Sequence, residues 1–380
     1  MKSIKIAYII TGLDTGGAEM MLYKLLSRID RDRFEPVVFS LTEGGILADK
    51  IEALGITVYS IGMKRRAIPI IGLVRLIRLL RSLKPDIIQG WMYHANLVAQ
   101  GSSIFLSGKI PVLWNIRGTH TDLSVEPLYT ALTIWLGGRL SRFSSGIINN
   151  SMASAGSHEQ KLGYRPEKRV IIPNGFDTGL FKPSHDARAR LRAELGLPEN
   201  AFLIGLAGRY HPMKDHENFL SAAASLLKSH PDVRFVLIGK DVEQSNSTLT
   251  ERIKNLQLDK SVHLMGNRDD MPCLTAAFDI ATSSSYGEGF SNALGEAMSC
   301  GVPCVATDVG DSRWIVGDTG LIVPPRDHDA LAGAWQKMIE MGDENRRSLG
   351  LHARQRVIDN FSLDSVVKLY EELYRLVATQ

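Results

Sequence analysis

Short apolar runs alternate with helical stretches along almost the whole chain. The first half contains IKIAYII, PVVFSL, ITVYSI, DIIQG, PVLWNI, SGIINN and RVIIPN, and the second half contains FLIGLA, VRFVLIG, VHLMG, DIATSS and PCVATD. This alternation predicts parallel strands joined by helices, which form open doubly wound sheets. Because the runs fall into two successive series of similar size, we predict two α/β units.

The boundary between the units is predicted in IPNGFDTGLFKPSHD, residues 172–186, where prolines and glycines interrupt the periodicity. We place the first domain at 1–175 and the second at 176–361. The final amphipathic helix, within 362–380, is expected to pack back on the first domain. A length of 380 residues fits two domains.

Composition excludes several classes of protein. With 44% hydrophobic and 22% charged residues, the chain has the balance of a soluble globular protein. Cys273, Cys300 and Cys304 are too few and too scattered for a disulfide framework or a zinc site, which favours a reducing compartment. The first apolar run is shorter than a signal peptide or a membrane span, so we interpret it as a buried strand and expect a cytoplasmic protein.

Positive charge is concentrated in the first half, where residues 1–180 contain 22 Lys and Arg against 14 Asp and Glu. Much of it lies in Lys64–Lys84, which mixes seven Lys and Arg with apolar residues and contains no Asp or Glu. This pattern predicts a basic amphipathic helix, which could bind the anionic inner face of a membrane or could be an ordinary packed helix. No nucleic-acid partner is expected.

The stretch EGFSNALGE, Glu288–Glu296, follows a predicted strand. A helix should begin near Ser291 or Asn292, so that free backbone N–H groups and the helix dipole suit a pyrophosphate. Glu288 could accept hydrogen bonds from sugar hydroxyls, and Glu296 could reach a ribose diol. On spacing alone, two solvated helix glutamates would explain the pattern better.

Two further loops follow predicted strands. Arg209 and Lys214 in GRYHPMKD suit a diphosphate. The alternative is that they are two surface cations without a ligand, which is less favourable because positive charge at a helix N-terminus opposes the helix dipole. Gly16 and Gly17 in GLDTGGAEM would let a backbone approach a phosphate, although a tight turn explains them equally well.

Together these motifs resemble family 4 of the retaining glycosyltransferases, and IPNGFDTGLFKP, LMGNRDDMP and TGLIVPP extend the resemblance over the chain. It implies the GT-B fold, with two Rossmann-like doubly wound domains facing an interdomain cleft. It also implies net-retaining transfer of a hexose or N-acetylhexosamine from a nucleotide-diphosphate sugar, expected to be UDP-linked, without a cofactor. Because the sequence shows no metal-type cluster, we expect this transfer to be metal-independent. The implied acceptor is a glycan or a lipid-linked molecule in surface-polysaccharide or glycolipid synthesis.

The resemblance also assigns individual residues. It implies that Arg209 and Lys214 hold the diphosphate, that Glu288 holds the donor sugar and that Glu296 holds the ribose. The other implied donor contacts are the backbone of Gly289, Phe290, Ser291, Asn292, Ala293 and Leu294, the amides of Gly16 and Gly17, and Arg268 near the base.

The pattern departs from the family in the first domain. Many relatives carry a histidine where this chain has Arg117 in WNIRGTH, with His120 three residues later. Either Arg117 acts as an electrostatic clamp or His120 takes the histidine's place. His94 in GWMYHAN is expected to line the acceptor cleft or to be structural. Two alternative functions stay open, a nucleotide-sugar epimerase and a catalytically dead sugar-nucleotide-binding or glycan-binding protein.

Overall fold

A computed structural model describes residues 3–63, 70–119 and 122–379. The chain forms two compact units, one of residues 1–175 with 363–380 and the other of residues 176–362. Each unit contains one sheet, and neighbouring strands in both sheets run parallel. The predicted fold class, two doubly wound α/β units, is confirmed.

The first unit is built on a seven-stranded sheet of order β3-β2-β1-β4-β5-β6-β7. Its strands are β1 (Ile4–Ile10), β2 (Phe34–Ser40), β3 (Val58–Ser60), β4 (Ile87–Trp91), β5 (Val112–Ile116), β6 (Gly146–Asn149) and β7 (Arg169–Ile171). The helices between them are α1 (Gly17–Leu26), α2 (Ile46–Glu52), α3 (Ile70–Leu83), α4 (Tyr93–Ser103), α5 (Leu128–Leu140) and α6 (Met152–Leu162). The order reverses between β1 and β4, so the topological switch point of this sheet lies there.

The second unit is built on a six-stranded sheet of order β10-β9-β8-β11-β12-β13. Its strands are β8 (Leu203–Ala207), β9 (Arg234–Ile238), β10 (Val262–Leu264), β11 (Ile280–Ser283), β12 (Cys304–Thr307) and β13 (Gly320–Val323). The helices are α7 (His185–Glu194), α8 (His216–Leu226), α9 (Ser247–Asn255), α10 (Met271–Ala276), α11 (Asn292–Ser299), α12 (Ser312–Val316), α13 (His328–Glu340) and α14 (Gly342–Phe361). Here the order reverses between β8 and β11.

Burial on both faces explains why the strands have nearly continuous apolar sequences. In β1, Ile6, Tyr8 and Ile10 belong to one hydrophobic core, whereas Ala7 and Ile9 belong to a second core on the other face of the sheet. A strand covered by helices on both sides has no solvent-facing positions that favour polar residues. The sequence therefore lacks the strict alternation of a half-exposed strand.

The last helix, α15 (Leu363–Ala378), belongs to the first unit. Its Tyr374 hydroxyl lies 3.1 Å from the Tyr8 hydroxyl. Its Tyr370 stacks on Trp91 and accepts a hydrogen bond of 2.8 Å from the Asn115 side chain. Burial raises the pKa of Tyr374, so Tyr374 is a neutral group where it joins α15 to the sheet.

The described part of the basic segment forms α3, which begins at Ile70 and is followed by Lys84 in a left-handed conformation with φ of 49°. Residues 64–69 of the predicted basic helix lie outside the described residues. Leu76 and Leu80 pack into the core, whereas Ile70 and Ile71 are exposed. In the ranges that the structure describes, no helix combines the length and apolar character needed to cross a membrane.

Candidate functional site

The switch point of the second sheet brings two loops together. One follows β8 and contains Arg209 and a 3-10 turn at Pro212–Lys214, and the other follows β11. The Tyr286 amide donates a 3.0 Å hydrogen bond to the Met213 carbonyl. The Ser284 hydroxyl donates to the Lys214 carbonyl at 2.8 Å. These bonds join the loops at the carboxyl ends of adjacent strands, the edge at which open α/β sheets bind ligands.

Lys214 and Glu288 form an ion pair across these two loops, with Nζ 2.8 Å from Oε2. The lysine stem runs over Gly208, where an added Cβ would lie 3.6 Å from the Lys214 Cδ. Because both charged ends remain partly exposed, the pair contributes only about 1 kcal/mol or less. A ligand with an anionic group for Lys214 and hydroxyl groups for Glu288 could therefore replace the pair at little cost.

Gly310, which the sequence analysis did not single out, fixes the backbone around Glu288. Its φ is +56°, and an added Cβ would lie 2.4 Å from the Glu288 carbonyl oxygen and 2.5 Å from that of Gly289. The next amide, of Asp311, donates to the Gly289 carbonyl at 2.9 Å. Only glycine suits both the backbone angle and this close approach. The sequence signal for this position is a glycine two residues after the predicted strand PCVATD, in TDVGD.

Helix α11 begins beside Glu288. Its N-cap residue, Ser291, makes no side-chain capping bond to the first-turn amides. Positive charge from the helix dipole is strongest at this end, so these amides suit an anion. Asn292 is exposed, and Ala293 and Glu296 are half-buried. Two of the assigned apolar residues, Phe290 and Leu294, are buried in the core, so they can offer only backbone groups to a ligand.

The two assigned arginines of this unit have different surroundings. Arg209 is exposed, and no carboxylate within the described ranges pairs with it. Arg268 donates two 2.8 Å hydrogen bonds to Asp270 and one of 2.6 Å to Glu194. Its hydrogen bonds to Asp270 and then to Glu194 raise the pKa of Arg268. This pairing gives Arg268 a structural explanation, and its contact with a base stays a prediction.

Gly16 and Gly17 lie at the start of α1, at the switch point of the first sheet. Gly16 is the N-cap, and an added Cβ there would lie 2.2 Å from a carboxylate oxygen of Glu19. No heavy atom within the described residues lies within 4 Å of a Cβ added to Gly17. A phosphate bound to these amides would thus compete with the Glu19 carboxylate.

Arg117 follows β5 and is held by neutral groups. Its guanidinium donates to the Tyr370 hydroxyl at 2.9 Å and to the Asn174 side-chain oxygen. It also lies 5.6 Å from the centre of the Trp91 ring. Burial lowers the pKa of Arg117, and no carboxylate of the described chain pairs with it. The role of Arg117 as an electrostatic clamp for an anionic ligand stays a prediction.

The two candidate histidines of the first unit are His94 and His120. His94, one residue into α4, is half-buried and stacks on Tyr129 with ring centres 5.2 Å apart. Burial lowers the pKa of His94, so the neutral ring is favoured. His120 lies outside the described residues.

Two family models match the chain. "Glycosyltransferase Family 4" matches residues 15–180, and "Glycosyl transferases group 1" matches residues 201–341. The chain is also 27% identical over 219 residues to the UDP-Gal:alpha-D-GlcNAc-diphosphoundecaprenol alpha-1,3-galactosyltransferase of Escherichia coli, which covers 57% of this chain and 56% of the relative. This chain spans about half the length of several such relatives.

Solved structures resemble the full length of the chain. HepE of Anabaena in complex with UDP has a TM-score of 0.83 at 25% identity, covering 99% of this chain and 100% of that one. The same protein in complex with UDP-glucose has a TM-score of 0.80 at 25% identity, covering 98% and 100%.

Proposed function

We propose that this chain, which belongs to glycosyltransferase family 4 and has the GT-B fold, transfers a hexose or N-acetylhexosamine from a UDP-sugar to a glycan or lipid-linked acceptor. The observation that carries the proposal is the Lys214–Glu288 pair at the switch point of the second sheet. The E. coli relative, named for UDP-galactose and a diphosphoundecaprenol acceptor, supports the donor and acceptor classes. The UDP and UDP-glucose complexes of HepE support the donor. Surface-polysaccharide or glycolipid synthesis at the inner face of a membrane is the proposed setting.

Donor binding exchanges one set of partners for another. The Lys214 ammonium leaves Glu288 and binds the diphosphate, which the α11 amides and Arg209 also stabilise. The Glu288 carboxylate then accepts hydrogen bonds from the sugar hydroxyls. Lys214 thus binds the diphosphate end of the donor and Glu288 binds its sugar end, so neither charged side chain is left without a partner in the complex.

The reaction breaks the bond between the anomeric carbon and the β-phosphate oxygen. The acceptor oxygen bonds to the same carbon from the same face, which retains the anomeric configuration. The acceptor proton passes to the departing diphosphate, whose growing negative charge Lys214 and Arg209 stabilise. In this proposal these two cations supply the positive charge needed at the leaving group, so turnover does not depend on a divalent metal.

Turnover of a panel of UDP-, GDP- and ADP-sugars, with and without a lipid-linked acceptor, tests the proposal. We expect UDP release that depends on acceptor and persists in EDTA, and a product whose anomeric proton coupling in NMR matches that of the donor. Lys214→Met should abolish most turnover, while Lys254→Met, an exposed cation on α9, should not. Binding or turnover of no nucleotide sugar would refute the proposal, and an inverted product would refute the same-face attack.

A further inference from the structure

Helix α5 is apolar on two opposite faces. One face is buried and contains Thr133, Ile134, Gly137 and Gly138. A Cβ added to Gly138 would lie 2.0 Å from the Leu162 carbonyl oxygen, and one added to Gly137 would lie 2.3 Å from the Tyr164 hydroxyl. This close packing establishes which face points into the unit, so the other face must point outward.

The outward face should be polar if α5 only covered the sheet. It instead exposes Leu128 at 86%, Leu132 at 55%, Trp135 at 44% and Leu136 at 37% of their surface. Their spacing places them in one stripe along the helix. We call this stripe, with the two arginines that follow it, the α5 ridge; its residues are Leu128, Leu132, Trp135, Leu136, Arg139 and Arg142. Contiguous exposed apolar surface of this kind marks an interaction site.

Cations extend the ridge. The guanidinium of Arg139 lies 4.9 Å from the ring centre of Trp135, and that of Arg142 lies 4.7 Å from the ring centre of the exposed Phe143. Residues 127–158 contain these two arginines and no Asp or Glu. No carboxylate of the described residues pairs with either arginine. Apolar and aromatic side chains next to such cations match the interface of an anionic bilayer. A dimer formed through this surface would place one ridge against another, and because the ridge contains no Asp or Glu, its arginines would gain no carboxylate partner.

The ridge begins close to the candidate acceptor side of the first unit. Helices that join parallel strands run antiparallel to them, so α5 starts at the carboxyl edge of the sheet, near which Arg117 and His94 lie. Tyr129, the second residue of α5, stacks on His94. The first turn of α3, with the exposed Ile70 and Ile71, begins at the same edge.

We infer that the α5 ridge docks on an anionic lipid bilayer, with its leucines and Trp135 inserted between headgroups and Arg139 and Arg142 facing lipid phosphates. Docking lays α5 along the bilayer surface and brings the His94 edge of the sheet to the membrane. This inference adds a specific surface to the proposed function, which by itself requires only a lipid-linked acceptor.

Tryptophan fluorescence with vesicles tests the inference directly. Trp91, Trp114 and Trp335 are buried, and Trp314 packs against Phe290 and Phe361, so a change on binding reports Trp135. We expect a blue shift with vesicles of 70% phosphatidylcholine and 30% phosphatidylglycerol, a much smaller one with phosphatidylcholine alone, and loss of the shift in Trp135→Phe, which should still co-sediment.

Variants of the ridge test which residues insert. Leu128→Glu with Leu132→Glu should lower the vesicle partition coefficient by more than about tenfold. Arg139→Gln with Arg142→Gln should lower it about 25-fold on anionic vesicles, from about fivefold for each cation near the surface. Leu351→Glu with Arg347→Gln, an exposed pair on α14 in the second unit, is the matched control and should not change it.

Three results would overturn the inference: no binding of the unmodified protein to anionic vesicles, equal binding by the ridge variants, or a dimer that Leu132→Glu dissociates while vesicles stay unbound. Urea unfolding of the same variants, followed by circular dichroism, verifies that the first unit, which contains α5, stays folded. Because vesicle binding is measured without donor, it can fail while transfer activity stands, and transfer activity can fail while vesicle binding stands.

Discussion

Replacing Gly310 with alanine perturbs the Glu288 loop without replacing any assigned site residue. The new Cβ would lie 2.4 Å from the Glu288 carbonyl oxygen, whereas non-bonded C···O contacts are about 3.3 Å or longer. The loop must therefore move by about 1 Å. The residue would also keep a φ of +56°, which costs a non-glycine residue about 1 kcal/mol.

A displacement of about 1 Å at a group that positions substrate can lower the rate on the order of 100-fold. We therefore expect Gly310→Ala to lower kcat/KM for the UDP-sugar by about two orders of magnitude, or about 2.7 kcal/mol of transition-state stabilisation. Initial rates at varied donor concentration measure this loss, and urea unfolding verifies that the fold is retained.

Gly196→Ala is the matched control. Gly196 has a φ of +66°, and no heavy atom of the described chain lies within 4 Å of an added Cβ. This variant should lose similar stability, about 1 kcal/mol, and keep its turnover. Wild-type turnover in Gly310→Ala, or an equal loss in Gly196→Ala, would refute the argument that close packing of Gly310 positions Glu288.

Two further predictions concern stability. Asp279→Asn should destabilise the second unit by about 3 to 5 kcal/mol in urea unfolding, because the buried Arg192, 2.7 Å away, loses its carboxylate partner. The control Asp308→Asn, which breaks an exposed ion pair, should lower the free energy of unfolding by less than about 1 kcal/mol. Equal losses in the two variants would contradict this account. Burial, with a smaller effect of the Lys214 charge, lowers the pKa of His216 from 6.5 to about 4. Below pH 6.5 the unfolded chain therefore binds a proton at His216 that the folded chain does not. The free energy of unfolding should fall by about 2 kcal/mol between pH 7.5 and pH 5 because of this residue. The same pH dependence in His216→Phe as in the unmodified protein would refute this.

The local sequence was sufficient to predict the strands and to identify the family. Runs such as IKIAYII and FLIGLA predicted β1 and β8, because a strand buried on both faces is apolar throughout. The family resemblance, inferred from several ordered motifs, is confirmed. The start of α11 at Asn292 was predicted from the capping preferences of Ser and Asn, although Ser291 as N-cap makes no side-chain capping bond.

Contacts between distant residues could not be predicted in the same way. Lys214 and Glu288 are 74 residues apart, and Arg117 and Tyr370 are 253 apart, so their partners depend on strand order and on where α15 packs. Helix α5 is apolar on both faces, and its sequence alone does not tell which face is buried. The assigned roles of the site residues stay predictions.

Calorimetric titration of UDP and of a UDP-sugar into Glu288→Gln tests the central claim most directly. In our proposal the Lys214 ammonium leaves the Glu288 carboxylate and binds the donor diphosphate. Glu288→Gln removes the ion pair, so Lys214 no longer has to break it when UDP binds. UDP should then bind as tightly as to the unmodified protein or more tightly, while the UDP-sugar should lose the advantage that its sugar gives it over UDP. An equal loss of affinity for UDP and UDP-sugar, or no change for either, would contradict the proposed exchange of partners.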